Sequence, residues 1–128
     1  MTVKAPAALP AFYNPANAAK WDYVPDQQKL FKEAADWKRS QGIAPSASDR
    51  FSVHLLLIDA QKDFCFPGGS LYVAGRSGQG AISDSRRIAE FMYRELAHIT
   101  NVTTTMDTHF AYQIFFPSFW VDRNDQPL

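Results

Sequence analysis

Four side chains in this sequence are of types that do chemistry and stand where chemistry could use them. Asp107 and His109 form an i, i+2 pair in MDTHF. In extended chain that spacing sends both side chains to one side. A carboxylate beside an imidazole suits zinc, manganese or iron(II). Two ligands alone make a weak site, because a stable one normally has three or more protein groups. A loop aspartate beside a surface histidine is the plainer reading. Asp59 closes the apolar run in LLLIDAQKDF. A carboxylate there is expected to be partly desolvated, which raises its pKa and suits a proton acceptor near neutral pH. A cap on the turn after the strand fits the same position equally well. Cys65 follows Phe64 in the same loop, and no histidine or lysine spacing marks its thiol for activation. It is expected to pack half-buried. His54 reads as a packed strand histidine and His98 as a charge at a helix end.

These residues need elements to place them. Residues 53–58 (VHLLLI) are a short apolar run, as in a strand buried on both faces. Residues 82–98 read as a helix with Ile88, Phe91, Met92, Leu96 and Ile99 on one stripe. Residues 101–106 (NVTTTM) have the β-branched content of a second strand. Strand, helix and strand over this length make a βαβ unit with parallel strands. Parallel strands end on one edge of their sheet, where open α/β sheets bind ligands. Asp59 and Asp107 therefore reach one crevice through backbone geometry.

Residues 1–20, with Pro6, Pro10 and Pro15, read as an irregular arm. Residues 26–41 read as a helix started by Pro25 and Asp26, with Leu30, Ala34 and Trp37 on one face and Gly42 as its stop. Residues 44–50 are a linker. The division is thus an arm and helix over 1–50 and an α/β part over 51–128.

Bulk properties narrow the function classes. Thirteen basic residues balance thirteen acidic ones, so no net field attracts nucleic acid or an anionic membrane. No run of eighteen apolar residues spans a bilayer. One cysteine cannot form an internal disulfide, and a cytoplasmic location follows as the expectation. Gly75, Gly78 and Gly80 run G-x-x-G-x-G, not G-x-G-x-x-G, and no P-loop is present, so no nucleotide cofactor is expected. Tyr112 to Trp120 (YQIFFPSFW) is too apolar for an exposed tail and is expected to pack in a core or interface, with one or two rings at a pocket wall as the lesser alternative.

LLLIDAQKDFCFPGGSLYVAG, followed about forty residues later by TTTMDTHFAYQIFFPSFW, resembles the isochorismatase-like cysteine hydrolases, and nicotinamidases most of all. The likeness covers roughly residues 53–120. It implies a Rossmann-like three-layer α/β fold, of which one βαβ unit with an N-terminal helical extension is legible here. It implies that Asp59 matches the family's catalytic aspartate, which takes the proton of the nucleophilic cysteine. Asp107 and His109 match two ligands of the divalent metal (zinc, manganese or iron) that holds the pyridine nitrogen of nicotinamide. Cys65 matches a cysteine seen in some members and is not the nucleophile. Phe115 stands where some nicotinamidases carry a further histidine near the metal. The family's later metal histidine, its active-site lysine and its nucleophilic cysteine have no counterpart in residues 1–128. The resemblance therefore implies an amidase chain that is truncated and inactive alone. Its partners would be a small-molecule amide such as nicotinamide and either a second copy or a complementing C-terminal half. The alternative is a non-catalytic interaction module or relic that uses the βαβ unit as a docking surface.

Overall fold

The structure is a computed structural model that describes residues 5–110 and 112–128. It is α/β, with two parallel strands and three helices. Chain order is α1 (Gln27–Ser40), β1 (His54–Leu57), α2 (Lys62–Cys65), α3 (Gly80–Glu95) and β2 (Asn101–Thr104), with short 3-10 turns at Pro15–Ala19, Ser46–Ser48 and Pro117–Phe119.

Helix α1 starts where the sequence signals it. Asp26 is the N-cap, and its Oδ1 accepts from Lys29 N–H at 3.0 Å. Gly42 follows the helix with φ +62°, a left-handed turn that a glycine takes at no steric cost. Leu30, Ala34 and Trp37 are half-buried, as their shared face requires, while Phe31 on another face is 77% exposed.

The expected βαβ unit is present, with strands shorter than the apolar and β-branched runs. His54 pairs with Asn101 and Leu57 with Thr104, in parallel. Thr100 fixes where the pairing begins. Its N–H donates to Val53 O at 2.8 Å, and its hydroxyl accepts from Val53 N–H at 3.0 Å and donates to Asp49 at 2.8 Å. The crossover helix starts at Gly80, two residues before the expected boundary, and ends at Glu95. Gly80 has to be small at that start, because a Cβ there would lie 2.9 Å from Ala74 O.

Two expectations about burial fail for one reason. Strand β1 is covered on one face only. Leu55 and Leu57 are half-buried beside Ile88 and Phe91 of α3, while Leu56 and Ile58 on the other face are exposed. His54 lies on that open face and is exposed instead of packed, with Nε2 hydrogen-bonded to Thr103 Oγ1 at 2.7 Å. The run of leucines states what the side chains prefer, but among the described residues only one layer of helix covers the sheet. Ile99 and Pro10 are the buried residues among those described.

The arm crosses α3 and meets α2. Ala7 N–H donates to Arg94 O at 2.8 Å, and Tyr13 Oη donates to Glu90 at 3.1 Å. Phe12, Tyr13 and Trp37 all meet the ring of Tyr93 edge-on at 5.6–5.9 Å between centroids. Lys62 Nζ donates to Trp21 O at 2.6 Å and lies 5.2 Å from the centre of that indole. Among the described residues no helix is long and apolar enough to cross a membrane.

Candidate functional site

Parallel pairing delivers both acidic positions to one edge of the sheet. Strand β1 ends at Leu57 and Asp59 follows; β2 ends at Thr104 and Asp107 follows. Beyond the last strand residues, side chains continue the cross-links. Thr105 N–H still donates to Leu57 O at 2.9 Å. Asp59 N–H then donates to Thr105 Oγ1 at 3.0 Å, and that hydroxyl donates to Asp59 Oδ1 at 2.9 Å. Gln61 Oε1 accepts from Asp107 N–H at 2.8 Å, and its Nε2 reaches Asp107 O at 3.4 Å.

The backbone turn that makes this possible is at Asp59 itself. Its φ is +54°, a left-handed conformation uncommon outside glycine but tolerated by aspartate. Such residues persist where the surroundings hold them, and here Thr105 holds both the amide and the carboxylate. The carboxyl group is half-buried and not fully withdrawn from water. Among the described residues nothing bonds its second oxygen.

Asp107 and His109 do meet, as an i, i+2 pair in extended chain should. His109 Nε2 and Asp107 Oδ2 are 2.5 Å apart, and both side chains are about one-third exposed. One nitrogen and one oxygen thus face each other across a hydrogen bond, and both atom types suit a divalent transition metal. On a tetrahedral ion, bonds of about 2.1 Å would set them roughly 3.4 Å apart, so the pair fits two ligands once it opens by about an ångström. Among the described residues no group of three His, Cys, Asp or Glu side chains gathers. The ring of His109 also meets Phe115 and Phe116 edge-on at 6.1 Å. Phe115, at the position the resemblance links with a further histidine, therefore offers a ring face and no donor atom.

Cys65 is free, half-buried at the end of α2, and borders a cleft of 290 Å³ that Asp59, Phe64, Val73, Asp84 and Ile88 also line. A glycine shapes the loop that follows. At Gly69 a Cβ would fall 2.3 Å from Asp63 O, closer than any side chain permits, while Asp63 accepts from Ser70 Oγ at 2.7 Å. Gly75 and Gly78 have φ of +63° and +72° and serve turns. His98, beyond the end of α3, has Nδ1 3.1 Å from Glu95 and a buried Nε2 that no hydrogen-bonding group among the described residues meets. A larger cleft, 660 Å³, lies between the arm and α1 and is bordered by none of these residues.

The aromatic segment after His109 folds on itself. Trp120 Nε1 donates to Ile114 O at 3.0 Å, and the Tyr112 and Phe119 rings are 5.1 Å apart. It is not core: Phe110, Tyr112, Ile114, Phe115 and Trp120 are all exposed.

Reading residue types missed three residues that bond those of the site: Thr105, Gln61 and Gln113, whose Nε2 lies 2.6 Å from His109 Nδ1. Gln61 stands two places after Asp59 in the quoted motif, which was the available signal. Thr105 read only as β-branched strand content, and Gln113 as part of an aromatic stretch. No family model, no curated protein and no solved structure matches the chain.

Proposed function

We propose that residues 51–128 are the amino-terminal half of the active site of a nicotinamidase-like cysteine hydrolase, within the family's three-layer α/β fold. The observation that carries this is the shared carboxyl edge, where Thr105 and Gln61 tie the loop of Asp59 to the loop of Asp107 and His109. Asp59 is the proton acceptor. Thr105 turns one carboxylate oxygen toward β2 and leaves the other for a thiol proton. Asp107 and His109 hold two positions of a divalent zinc, manganese or iron ion. When bound, that ion supplies a Lewis-acid anchor for the ring nitrogen of a nicotinamide-like amide.

The nucleophile is not Cys65. It lies on the short helix next to the base, without a histidine among its cleft neighbours to activate it. Attack on an amide also requires reacting atoms held at about 3–3.5 Å in the right orientation. The 128 residues therefore hydrolyse no amide by themselves, and the thiol comes from a complementing C-terminal half. The setting we propose is the cytoplasm, where a thiol nucleophile stays reduced.

Two assays test this together. Zinc competition against a chromogenic chelator should show binding by the chain that is lost in Asp107→Ala and in His109→Ala. Incubation with nicotinamide should release no ammonia. Equal zinc binding by all three proteins, or ammonia from the chain alone, would overturn the reading. A second reading, a docking module without catalysis, is favoured by the open sheet face at Leu56 and Ile58 and by the exposed aromatic segment.

A further inference from the structure

The amide of Gln113 is fixed at both ends. Its Oε1 accepts from Phe110 N–H at 2.8 Å, and its Nε2 lies 2.6 Å from His109 Nδ1. A backbone N–H only donates, so the oxygen of the amide must face Phe110 and the NH2 must face the imidazole. An amide NH2 has nothing to accept with, so Nδ1 is the acceptor. The proton of a neutral ring is then on Nε2, where Asp107 Oδ2 receives it at 2.5 Å. One backbone amide thus dictates, through Gln113, which nitrogen of His109 carries hydrogen.

We propose that Gln113 is a positioning residue that holds His109 in the Nε2–H tautomer and thereby sets the metal affinity of the Asp107–His109 pair; the affinity part rests on the reading of that pair as metal ligands. A ligating imidazole gives its lone pair to the ion and its other N–H to an acceptor. With Nε2 free for an ion, the ring proton is on Nδ1, and there it meets the NH2 of Gln113, donor against donor. Turning the amide over relieves that clash but sets its NH2 against Phe110 N–H. Gln113 therefore opposes the ligating tautomer in either orientation. Glutamate at this position would not, because one oxygen could accept from Phe110 and the other from Nδ1–H. Leucine would remove the opposing donor without adding charge.

The tautomer is read directly from long-range 1H–15N spectra of the 15N-labelled wild-type chain under alkaline conditions. The His109 signals are assigned by their loss in His109→Ala. The expected pattern is a protonated Nε2 and an unprotonated Nδ1. A protonated Nδ1, or an even mixture, overturns the proposal without any change at Gln113. Zinc competition supplies the second readout. Gln113→Glu should bind zinc about tenfold more tightly than wild type, in line with the weight of outer partners of a ligating histidine. Gln113→Leu should also bind more tightly, by less. Leucine binding at or below wild-type strength overturns the affinity part, since added charge alone would then explain the glutamate. If His109→Ala binds zinc as well as wild type, the metal-pair reading fails and takes the affinity part with it, while the spectrum still decides what Gln113 does to the ring.

Discussion

One hydroxyl serves both ends of Asp59: Thr105 Oγ1 accepts from the Asp59 amide at 3.0 Å and donates to the Asp59 carboxylate at 2.9 Å. Backbone pairing between the strands ends with Thr105 N–H on Leu57 O, so this hydroxyl, with Gln61 on Asp107 beyond it, keeps the two chain segments joined past that point. It also holds a residue whose φ of +54° has to be stabilised by its surroundings. Thr105→Val keeps the shape and removes both bonds. We expect a loss of about 1 kcal/mol, measured by urea denaturation, because the group is exposed enough for water to replace part of what is lost. Thr105→Ser should recover most of it. A valine variant as stable as wild type would mean that the Asp59 turn is held by something else.

The arm is bound to the same loop through Trp21, which meets Lys62 and Phe66. Lys62 follows Gln61 directly, and its ammonium meets both the carbonyl and the ring of Trp21, while that ring meets Phe66 edge-on at 5.8 Å. Trp21 thus touches α2 at its first residue and at the residue after its last. Lys62→Met keeps the apolar stem and loses the charge. The expected cost is about 0.5–1 kcal/mol, as for an exposed cation–π contact. Chymotryptic cleavage near Trp21 and Tyr23 should quicken several-fold, and Lys62→Arg should cleave at the wild-type rate. Unchanged cleavage in the methionine variant would show that the arm is anchored elsewhere, for example at Tyr13.

Alkaline pH should loosen the arm through two phenols. Tyr13 is raised above its ordinary value first by burial and then by its hydrogen bond to Glu90, with the glutamate charge adding to it. Tyr93 is raised first by burial and then by Tyr23. A phenol with a raised folded pKa holds its proton more tightly in the folded state. Its stabilisation is complete below the unfolded value of about 10 and is lost as pH rises from there through the folded value. Stability followed by denaturant midpoint should therefore be level up to about pH 9.5 and then fall. Tyr13→Phe should lower the plateau and make the fall shallower, with Tyr93 responsible for what remains. A slope beyond pH 10 equal to that of wild type would remove Tyr13 from this account.

The parallel unit was legible because its cues are local. Pro25 and Asp26 mark the start of α1, the leucines of β1 and the threonines of β2 mark strands, and the helix between them requires a parallel return. Asp59, Asp107 and His109 could be set on one edge from the same reasoning. What was not legible is carried by side chains acting across some 46 positions, as Thr105 does on Asp59 and Gln61 on Asp107. No periodicity records such a bond, and threonine in a strand has a sufficient reason to be there already. The burial of β1 was misjudged for a different reason. A run of apolar residues shows a demand for cover, and cover is supplied by other segments.

That uncovered face leads to a prediction from two neighbouring leucines. Leu56 is 53% exposed on the open side of the sheet, as is Ile58 at 68%. Leu57 points the other way and is half-buried beside α3. An open sheet with apolar side chains on a bare face associates through that face. Leu56→Lys should therefore reduce association, with light scattering at a fixed concentration moving toward the 14.4 kDa of one chain. Its effect on stability should stay within about 0.5 kcal/mol, as for surface changes generally. Leu57→Ala should do the reverse, leaving association unaltered and costing about 1–3 kcal/mol, less than a fully buried leucine because the site is only half enclosed. If lysine at 56 leaves the scattering unchanged while destabilising the chain as much as alanine at 57, the two faces of β1 are equally covered and the sheet carries no docking surface.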